Sequence, residues 1–164
     1  MIREAIFISF RGRLLPTGTG RPDDILQRLT TIIFNVDGDG EIIYTRPLDE
    51  VPRATYHRNT GSVAIALCCC YNARPDDLGE YPPTEAQIET LAKMFAVIAE
   101  VFDNPIDREH FMTHGEAAND DGYGLYSGEP DCRWDLEQLC NEDEIGTGGD
   151  ILRGKAQWYL EQGV

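Results

Sequence analysis

The chain has 164 residues, of which 41% are apolar, and its formal net charge is −15 at pH 7. This length predicts one domain, residues 1–164, that can bury about 70% of its unfolded surface, and the apolar content argues against a disordered chain. Residues 59–164 hold 21 of the 29 acidic residues and only 6 of the 14 basic ones. Such an acidic surface repels phosphate backbones and anionic lipids, so we expect no nucleic-acid or membrane-surface partner.

Four apolar segments predict the strands of a central sheet. Residues 37–40, Asp-Gly-Asp-Gly, separate two of these segments, and Asp-Gly pairs supply the positive φ angles of a tight hairpin turn. The longest segment is almost continuously apolar, which is typical of a central strand covered on both faces. The predicted strands cover residues 5–10, 31–36, 41–44 and 62–71, and a loop over 11–21 and a short helix begun by Asp23 or Asp24 are expected after the first.

The second half of the chain predicts helices. Thr84 and Gln87 have the spacing of a capping box, and an apolar stripe follows at helical spacing, so residues 84–102 are predicted as the main helix. Residues 110–113 are predicted as a short strand that leads into His114, and residues 115–130 as a long irregular loop. A short helix over 135–139 and a final helix over 151–160, with Trp158 and Tyr159 docked on the body, complete the prediction. The fold class is α/β, with a mixed central β-sheet flanked by helices.

The cysteines and the N-terminal sequence indicate the cellular compartment in which the chain is made. Three of the five cysteines are consecutive, at Cys68, Cys69 and Cys70, and neighbouring residues on a strand point to opposite faces, so these thiols cannot readily pair with one another. Reduced thiols are therefore expected. The first residues lack the basic region and apolar run of a signal peptide, and no apolar stretch is long enough to span a bilayer. We expect synthesis in the cytoplasm without insertion into a membrane.

The residues with the most chemical potential lie between 114 and 132. His114 is one of only three histidines in the chain; Glu116 follows it closely, and Asp131 and Cys132 lie further downstream. Imidazole, carboxylate and thiolate are the usual zinc ligands, and zinc is commonly held by ligands from separate segments. His114 with Asp131 is therefore a candidate metal site, in which Cys132 is the rival of Asp131.

Three further segments precede His114: residues 39–42, Asp-Gly-Glu-Ile; residues 56–65, Tyr-His-Arg-Asn-Thr-Gly-Ser-Val-Ala-Ile; and residues 83–87, Pro-Thr-Glu-Ala-Gln. In this order they resemble the type 2 N-acetylmuramoyl-L-alanine amidases, a family that includes the peptidoglycan recognition proteins. The first segment resembles a hairpin of that family, the second its His–Asn–Ser-Ile-Gly-Ile segment, and the third its Pro-Thr-x-x-Gln helix start. His114 stands where the family has its second zinc histidine, and Asp131, before an aromatic-Asp pair, stands where it has the third ligand.

This resemblance implies a zinc-dependent hydrolase that cleaves the amide bond between N-acetylmuramic acid and L-alanine, acting as a monomer on peptidoglycan or muropeptides. It would act on the cell wall after release or delivery, or on muropeptides in the cytoplasm. Zinc is the implied cofactor, and the metal activates a water molecule for attack on the amide carbonyl. The alternative is a recognition module that binds muropeptide on the same fold without cleaving it, and a third interpretation reuses the scaffold for an unrelated amide or partner.

The chain also departs from the family pattern. Ile8-Ser9-Phe10 stands where the family has its first zinc histidine, and no histidine precedes His57. His57 aligns with a histidine that lines the family's cleft, so it is expected either to contact substrate or to replace the missing metal ligand. The family's lysine before the third ligand is absent as well, and Arg133 is the candidate that stabilises the oxyanion in its place.

Three further residues have an open role. Glu116 is a candidate general base or a hydrogen-bond acceptor for the ligating imidazole, with a solvated loop carboxylate as the alternative. Asn59 is expected either to bind polar groups of the substrate or to stabilise a turn. Tyr123 lies in the glycine-rich loop and is expected to form a wall of the substrate site.

Overall fold

A computed structural model describes residues 32–70, 73–130 and 132–163, together with the backbone of residues 6–8. The elements within these residues are four strands and three helices. In chain order they are β1 (Ile6–Ile8), β2 (Phe34–Val36), β3 (Ile42–Tyr44), β4 (Val63–Leu67), α1 (Glu85–Phe102), α2 (His114–Asp121) and α3 (Gly148–Gln162). The predicted loop over 11–21 and the predicted helix after Asp23 lie outside the described residues.

The four strands form one mixed sheet with the order β1-β4-β2-β3. β4 is antiparallel to β1 and parallel to β2, and β2 is antiparallel to β3. The hairpin between β2 and β3 confirms the turn prediction: Gly40 has a φ of +83°, and the Asp37 carboxylate accepts hydrogen bonds from the backbone amides of Asp39 and Glu41. The strand prediction for the first segment is confirmed at Ile6–Ile8.

β4 is the central strand, and all five of its residues are buried. Val63, Ile65 and Leu67 belong to the main core with Leu91 and Phe95 of α1. The alternate residues of β4, Ala64 and Ala66, pack on the other face of the sheet beside Ile32. The prediction of a strand covered on both faces is therefore confirmed, because the side chains on both faces of β4 are buried.

The capping box of α1 is present and attaches the helix to the sheet. The Thr84 hydroxyl accepts a hydrogen bond from the Gln87 amide at 3.1 Å, and the Gln87 side chain accepts one from the Thr84 amide at 3.0 Å. The buried Gln87 side chain also donates to the carbonyls of Val36 (3.0 Å) and Cys68 (3.3 Å). One residue thus caps α1 and joins its first turn to the ends of β2 and β4.

Four sequence predictions for the C-terminal third were wrong, and the predicted bounds of the last helix were too narrow. Residues 110–113 form no strand, because Thr113 is the N-cap of the helix that follows. Residues 114–121 form helix α2 and not a loop, because Thr113 and Glu116 make a second capping box. Residues 135–139 form turns and no helix, and the last helix is longer than predicted, spanning Gly148–Gln162. Trp158 does not dock on the body, since 56% of its surface is exposed.

The fold class prediction holds: an α/β domain with a mixed sheet and helices packed against it, in which α1 and α3 lie side by side. The cysteines of the described segments form no disulfide, and Cys69 and Cys70 are buried. Among the same residues, no helix combines the length and the apolar character that crossing a bilayer requires.

Candidate functional site

His114 is the first residue of α2 and is paired with a carboxylate from a distant segment. Its Nδ1 atom lies 2.6 Å from Oδ2 of Asp135, and each residue is only 7% exposed. The Gly115 amide donates to the Asp135 carbonyl at 3.1 Å, which holds the backbone of Asp135 against the first turn of α2. The fold therefore brings a buried imidazole and a buried carboxylate together across 21 residues of chain.

Imidazole nitrogen and carboxylate oxygen are both zinc ligands, so the distance between them tests how a metal would fit. In a tetrahedral zinc site these two atoms stand about 3.4 Å apart, since each lies about 2.1 Å from the metal. At 2.6 Å the pair is a direct hydrogen bond. The two groups therefore have the chemistry of zinc ligands, while in this structure they bind each other directly.

The described residues offer no third metal ligand beside this pair. Within 32–70, 73–130 and 132–163, no group of three His, Cys, Asp or Glu side chains is arranged to hold a metal ion. His57 and Cys132 therefore do not complete a triad with His114 and Asp135. Asp131, the carboxylate that the sequence analysis preferred, lies outside the described residues.

Asp135 is the site residue that the sequence analysis missed. In the sequence pattern it appears only as the second member of the aromatic-Asp pair, Trp134-Asp135, that follows Asp131. Asp135 lies between the apolar residues Trp134 and Leu136 in the sequence. These neighbours indicate that its carboxylate is buried. Its partner could not be inferred, because the contact depends on the path of the intervening chain.

Tyr123 lies beside this pair. Its ring stands edge-on to the His114 imidazole, with the ring centres 6.5 Å apart. Burial raises the pKa of the Tyr123 phenol, and the negative charge of Asp121 raises it further, while the cations of Arg58 and Arg133 lower it. The hydroxyl oxygen is buried and has no hydrogen-bond partner among the described residues.

An open cleft of about 560 Å³ is lined by two arginine–aspartate pairs, and Asp121 of one pair lies two residues before Tyr123. Arg58 binds both oxygens of Asp121 at 2.6 Å, and Arg108 binds those of Asp120 at 2.7 and 3.1 Å. The Arg58 hydrogen bond is the main reason that the pKa of Asp121 is lowered. The lining residues are His57, Arg58, Thr60, Arg108, Glu109, Met112, Asp120 and Asp121.

His57 and Asn59 come from the turn that forms one wall of the cleft. His57 is exposed, has a φ of +61°, and packs edge-on against the Tyr56 ring. This geometry places it in the cleft and not beside His114. The Asn59 side-chain oxygen accepts hydrogen bonds from the amides of Ala54 and Thr55, both at 2.8 Å, so the turn role is the one that the structure supports.

The other two candidates, Glu116 and Arg133, have different positions from those expected. Both Glu116 oxygens accept hydrogen bonds from Arg153, at 2.7 and 2.9 Å, and one also accepts from the Thr113 amide. Glu116 therefore joins α2 to α3, and this geometry does not suit a general base. Arg133 is exposed, its amide donates to the Tyr123 carbonyl at 3.0 Å, and its charge acts on the Tyr123 phenol.

Comparison with protein families gives the decisive observation. The family model described as N-acetylmuramoyl-L-alanine amidase matches residues 20–125. The chain belongs to this amidase family. The match contains His57, His114 and Tyr123 and ends before Asp135. Neither the curated proteins nor the solved structures contained a matching relative.

Family membership confirms the resemblance on which the sequence analysis relied, together with the fold that it implied. It also points to peptidoglycan as the ligand, either cleaved by an amidase or bound by a recognition protein.

Proposed function

We propose that this protein hydrolyses the amide bond between N-acetylmuramic acid and L-alanine with the help of a zinc ion. The observation that carries the proposal is the buried His114–Asp135 pair in a member of the amidase family. A buried imidazole–carboxylate pair at the start of a helix offers two ligands of the right chemistry.

Each side chain has a role in this proposal that follows from its position. His114 and Asp135 would hold the metal, and Asp131, four residues before Asp135, is the candidate for the third position. A bound zinc ion would supply Lewis-acid chemistry, by activating water and polarising the amide carbonyl. His57 and Tyr123 would contact the substrate from the cleft, and the Arg58–Asp121 pair would keep that wall rigid.

The substrate must be bound by contacts in the cleft and not by long-range attraction. The charged residues that line the cleft are two arginines and three acidic residues, and the whole chain carries −15. Peptidoglycan is surrounded by anionic polymers in many cell walls. The negative electrostatic potential of this protein therefore opposes its approach to the wall. Short-range hydrogen bonds and packing would therefore supply the affinity.

The test is zinc content together with release of stem peptide. Purified protein should contain about one zinc ion per chain, release peptide from an N-acetylmuramoyl-peptide, and lose activity with a chelator. His114→Ala should reduce both the zinc content and kcat at least 100-fold. Protein that cleaves this bond at full rate without zinc, or with His114 replaced, would contradict the proposal.

His110→Ala is the matched control. His110 also forms a pair with an aspartate, with Nδ1 2.7 Å from Asp107 Oδ1, but Asp107 is half-exposed and neither residue lines the cleft. Its replacement removes one imidazole from a similar pair without touching the candidate site. Zinc content and activity should therefore remain those of the unmodified protein.

One observation favours the second candidate function, a muropeptide-binding module without catalysis. The described residues provide two clustered metal ligands and not three, and a catalytic zinc site normally has three protein ligands. Binding of the muropeptide to metal-free protein, with no stem peptide released after zinc is added, would support the binding module over the enzyme.

A further inference from the structure

A second pocket, of about 480 Å³, lies between α1 and α3. Glu89 of α1 lines it together with Gly154, Lys155, Trp158 and Tyr159 of α3, and none of these residues lines the cleft described above. The volume falls within the range of about 300–1,000 Å³ that is typical of small-molecule sites. This α1–α3 pocket is therefore a candidate binding site that the proposed amidase chemistry does not use.

Two aromatic side chains form the apolar part of the α1–α3 pocket. The ring centres of Trp158 and Tyr159 lie 5.0 Å apart, and the two ring planes meet at 75°. Trp158 is 56% exposed, so it does not serve mainly as a core residue. A single exposed aromatic residue is common on protein surfaces. Two nearly perpendicular rings in one pocket, however, offer a surface on which a flat ligand can stack.

Charged groups are held in place beside these rings. The Glu89 carboxylate accepts hydrogen bonds from the Lys155 ammonium and from the Tyr159 hydroxyl. The bond from Lys155, followed by that from Tyr159, lowers the pKa of Glu89, so the carboxylate stays ionised at neutral pH. An ammonium group has three donor positions and a carboxylate about four acceptor positions, more than this pair uses. The α1–α3 pocket therefore offers both donors and acceptors to a ligand.

Gly154 keeps one side of the α1–α3 pocket open. It stands within α3, one turn before Trp158, where glycine destabilises a helix relative to other residues. A Cβ atom at this position would meet nothing within 4 Å. Packing against the described residues therefore does not require glycine here. A longer side chain would project into the space beside Trp158, since residues four apart share a helix face.

The charges near the α1–α3 pocket narrow the class of ligand. The chain has only two lysines: Lys155 lines the pocket, and the Lys93 ammonium lies 5.1 Å from the centre of the Tyr159 ring. The whole chain carries −15, which disfavours nucleic acid. Lysine and glutamate are depleted in the centres of protein–protein interfaces, which disfavours a protein partner. An uncharged ligand with many hydroxyl groups fits better than either.

A sugar chain has this chemistry. In the β-linked sugars of a glycan strand, the hydroxyl groups lie around the ring edge, and axial C–H bonds leave each face of the ring apolar. We propose that the α1–α3 pocket binds the glycan strand of peptidoglycan, with a sugar ring stacked on Trp158 and its hydroxyl groups hydrogen-bonded to Glu89 and Lys155. This inference rests on the peptidoglycan ligand of the proposed function and not on cleavage of the amide bond.

The test is calorimetric titration with chitotetraose, a peptide-free chain of N-acetylglucosamine, which the unmodified protein should bind at millimolar concentration or below. Trp158→Ala removes the stacking surface, and Gly154→Gln fills the space beside it. Each should raise Kd about 10-fold or more, the effect of losing a central aromatic contact. Glutamine favours a helix over glycine, so Gly154→Gln should not lower the melting temperature. Loss of binding is thereby separated from loss of folding.

Tyr81→Ala is the matched control. The Tyr81 residue is 56% exposed, the same fraction as Trp158, and it lines neither the cleft nor the α1–α3 pocket. Its replacement should leave the Kd for chitotetraose unchanged. No binding by the unmodified protein, or a Kd that either pocket variant leaves unchanged, would overturn the inference. So would a dimer that Trp158→Ala dissociates in protein that does not bind chitotetraose, because the pocket would then join two copies of this chain.

This outcome is separate from that of the amidase test, because chitotetraose carries no stem peptide. Protein that binds chitotetraose at Trp158 but releases no stem peptide from an N-acetylmuramoyl-peptide would contradict the amidase proposal alone. Protein that releases stem peptide but does not bind chitotetraose would contradict the glycan site alone.

Discussion

Buried carboxylates decide much of the chemistry of this protein at the scale of single residues. Asp135 and Glu137 are two positions apart and both are buried, yet their partners differ. Asp135 faces His114 at 2.6 Å, whereas Glu137 accepts a hydrogen bond from the Asn119 side chain at 2.6 Å. The imidazole partner gives Asp135 a candidate metal role, whereas Glu137 has a neutral amide partner and burial raises its pKa.

Glu137→Gln is expected to stabilise the protein at neutral pH. Burial raises the pKa of Glu137 above that of an unfolded chain, and nearby Glu116 raises it further. The carboxyl is neutral in both states below the unfolded pKa, so stability falls as the pH rises from about 4.5 through the folded pKa. Glutamine keeps the acceptor for Asn119 and removes the charge. Each unit of pKa difference corresponds to about 1.4 kcal/mol.

Urea unfolding at pH 4 and pH 8 would measure this effect. The free energy of unfolding of Glu137→Gln should be higher than that of the unmodified protein at pH 8, and the two values should approach each other at pH 4. Glu144→Gln, at an exposed side chain of the same segment, should change neither value. If both proteins lose the same free energy of unfolding between pH 4 and pH 8, the raised pKa of Glu137 is not the cause of that loss.

At the scale of elements, one ion pair joins the helix that carries His114 to the last helix of the chain. Arg153 of α3 binds both Glu116 oxygens and donates to the Phe111 carbonyl at 2.9 Å. Both partners are 7% exposed. Glu116 also completes the capping box of α2, so a single carboxylate fixes the start of α2 and its contact with α3.

Arg153→Met should therefore destabilise the protein by about 3–5 kcal/mol, because it leaves the buried Glu116 charge without its partner. Asp150→Asn is the control: it changes the other carboxylate that binds the same guanidinium, but that side chain is 82% exposed, so the effect should be small. Denaturant unfolding measures both variants. A loss below 1 kcal/mol in Arg153→Met would mean that the pair is not a main connection between α2 and α3.

Individual elements differ in how far sequence patterns predicted them. The α1 helix and the β2–β3 hairpin were predicted because their capping and turn residues are neighbours in the chain. The α2 helix was missed although Thr113 and Glu116 have the same capping spacing as Thr84 and Gln87. Its eight residues lack the long apolar stripe of α1, so the local signal was weak and the contact with Arg153 stabilises the helix from outside.

At the scale of the whole molecule, the charge of −15 should show itself in binding to cell walls. If the wall is anionic, binding of the protein to purified sacculi should become tighter as salt rises from about 20 to 150 mM, because the Debye length shrinks to about 8 Å and repulsion is screened. Co-sedimentation at the two salt concentrations measures this. Weaker binding at the higher concentration would mean that local ion pairs dominate the contact.

Local patterns and their order along the chain were enough to predict the sheet strands, the main helix and the membership of the amidase family. They also singled out His57, which lines the cleft. The pairing of His114 with Asp135 and the binding of Glu116 by Arg153 became visible only in three dimensions, as did the burial of the Tyr123 hydroxyl, which has no partner among the described residues. Each of these depends on the path of the chain between distant residues, and no pattern within a short segment encodes that path.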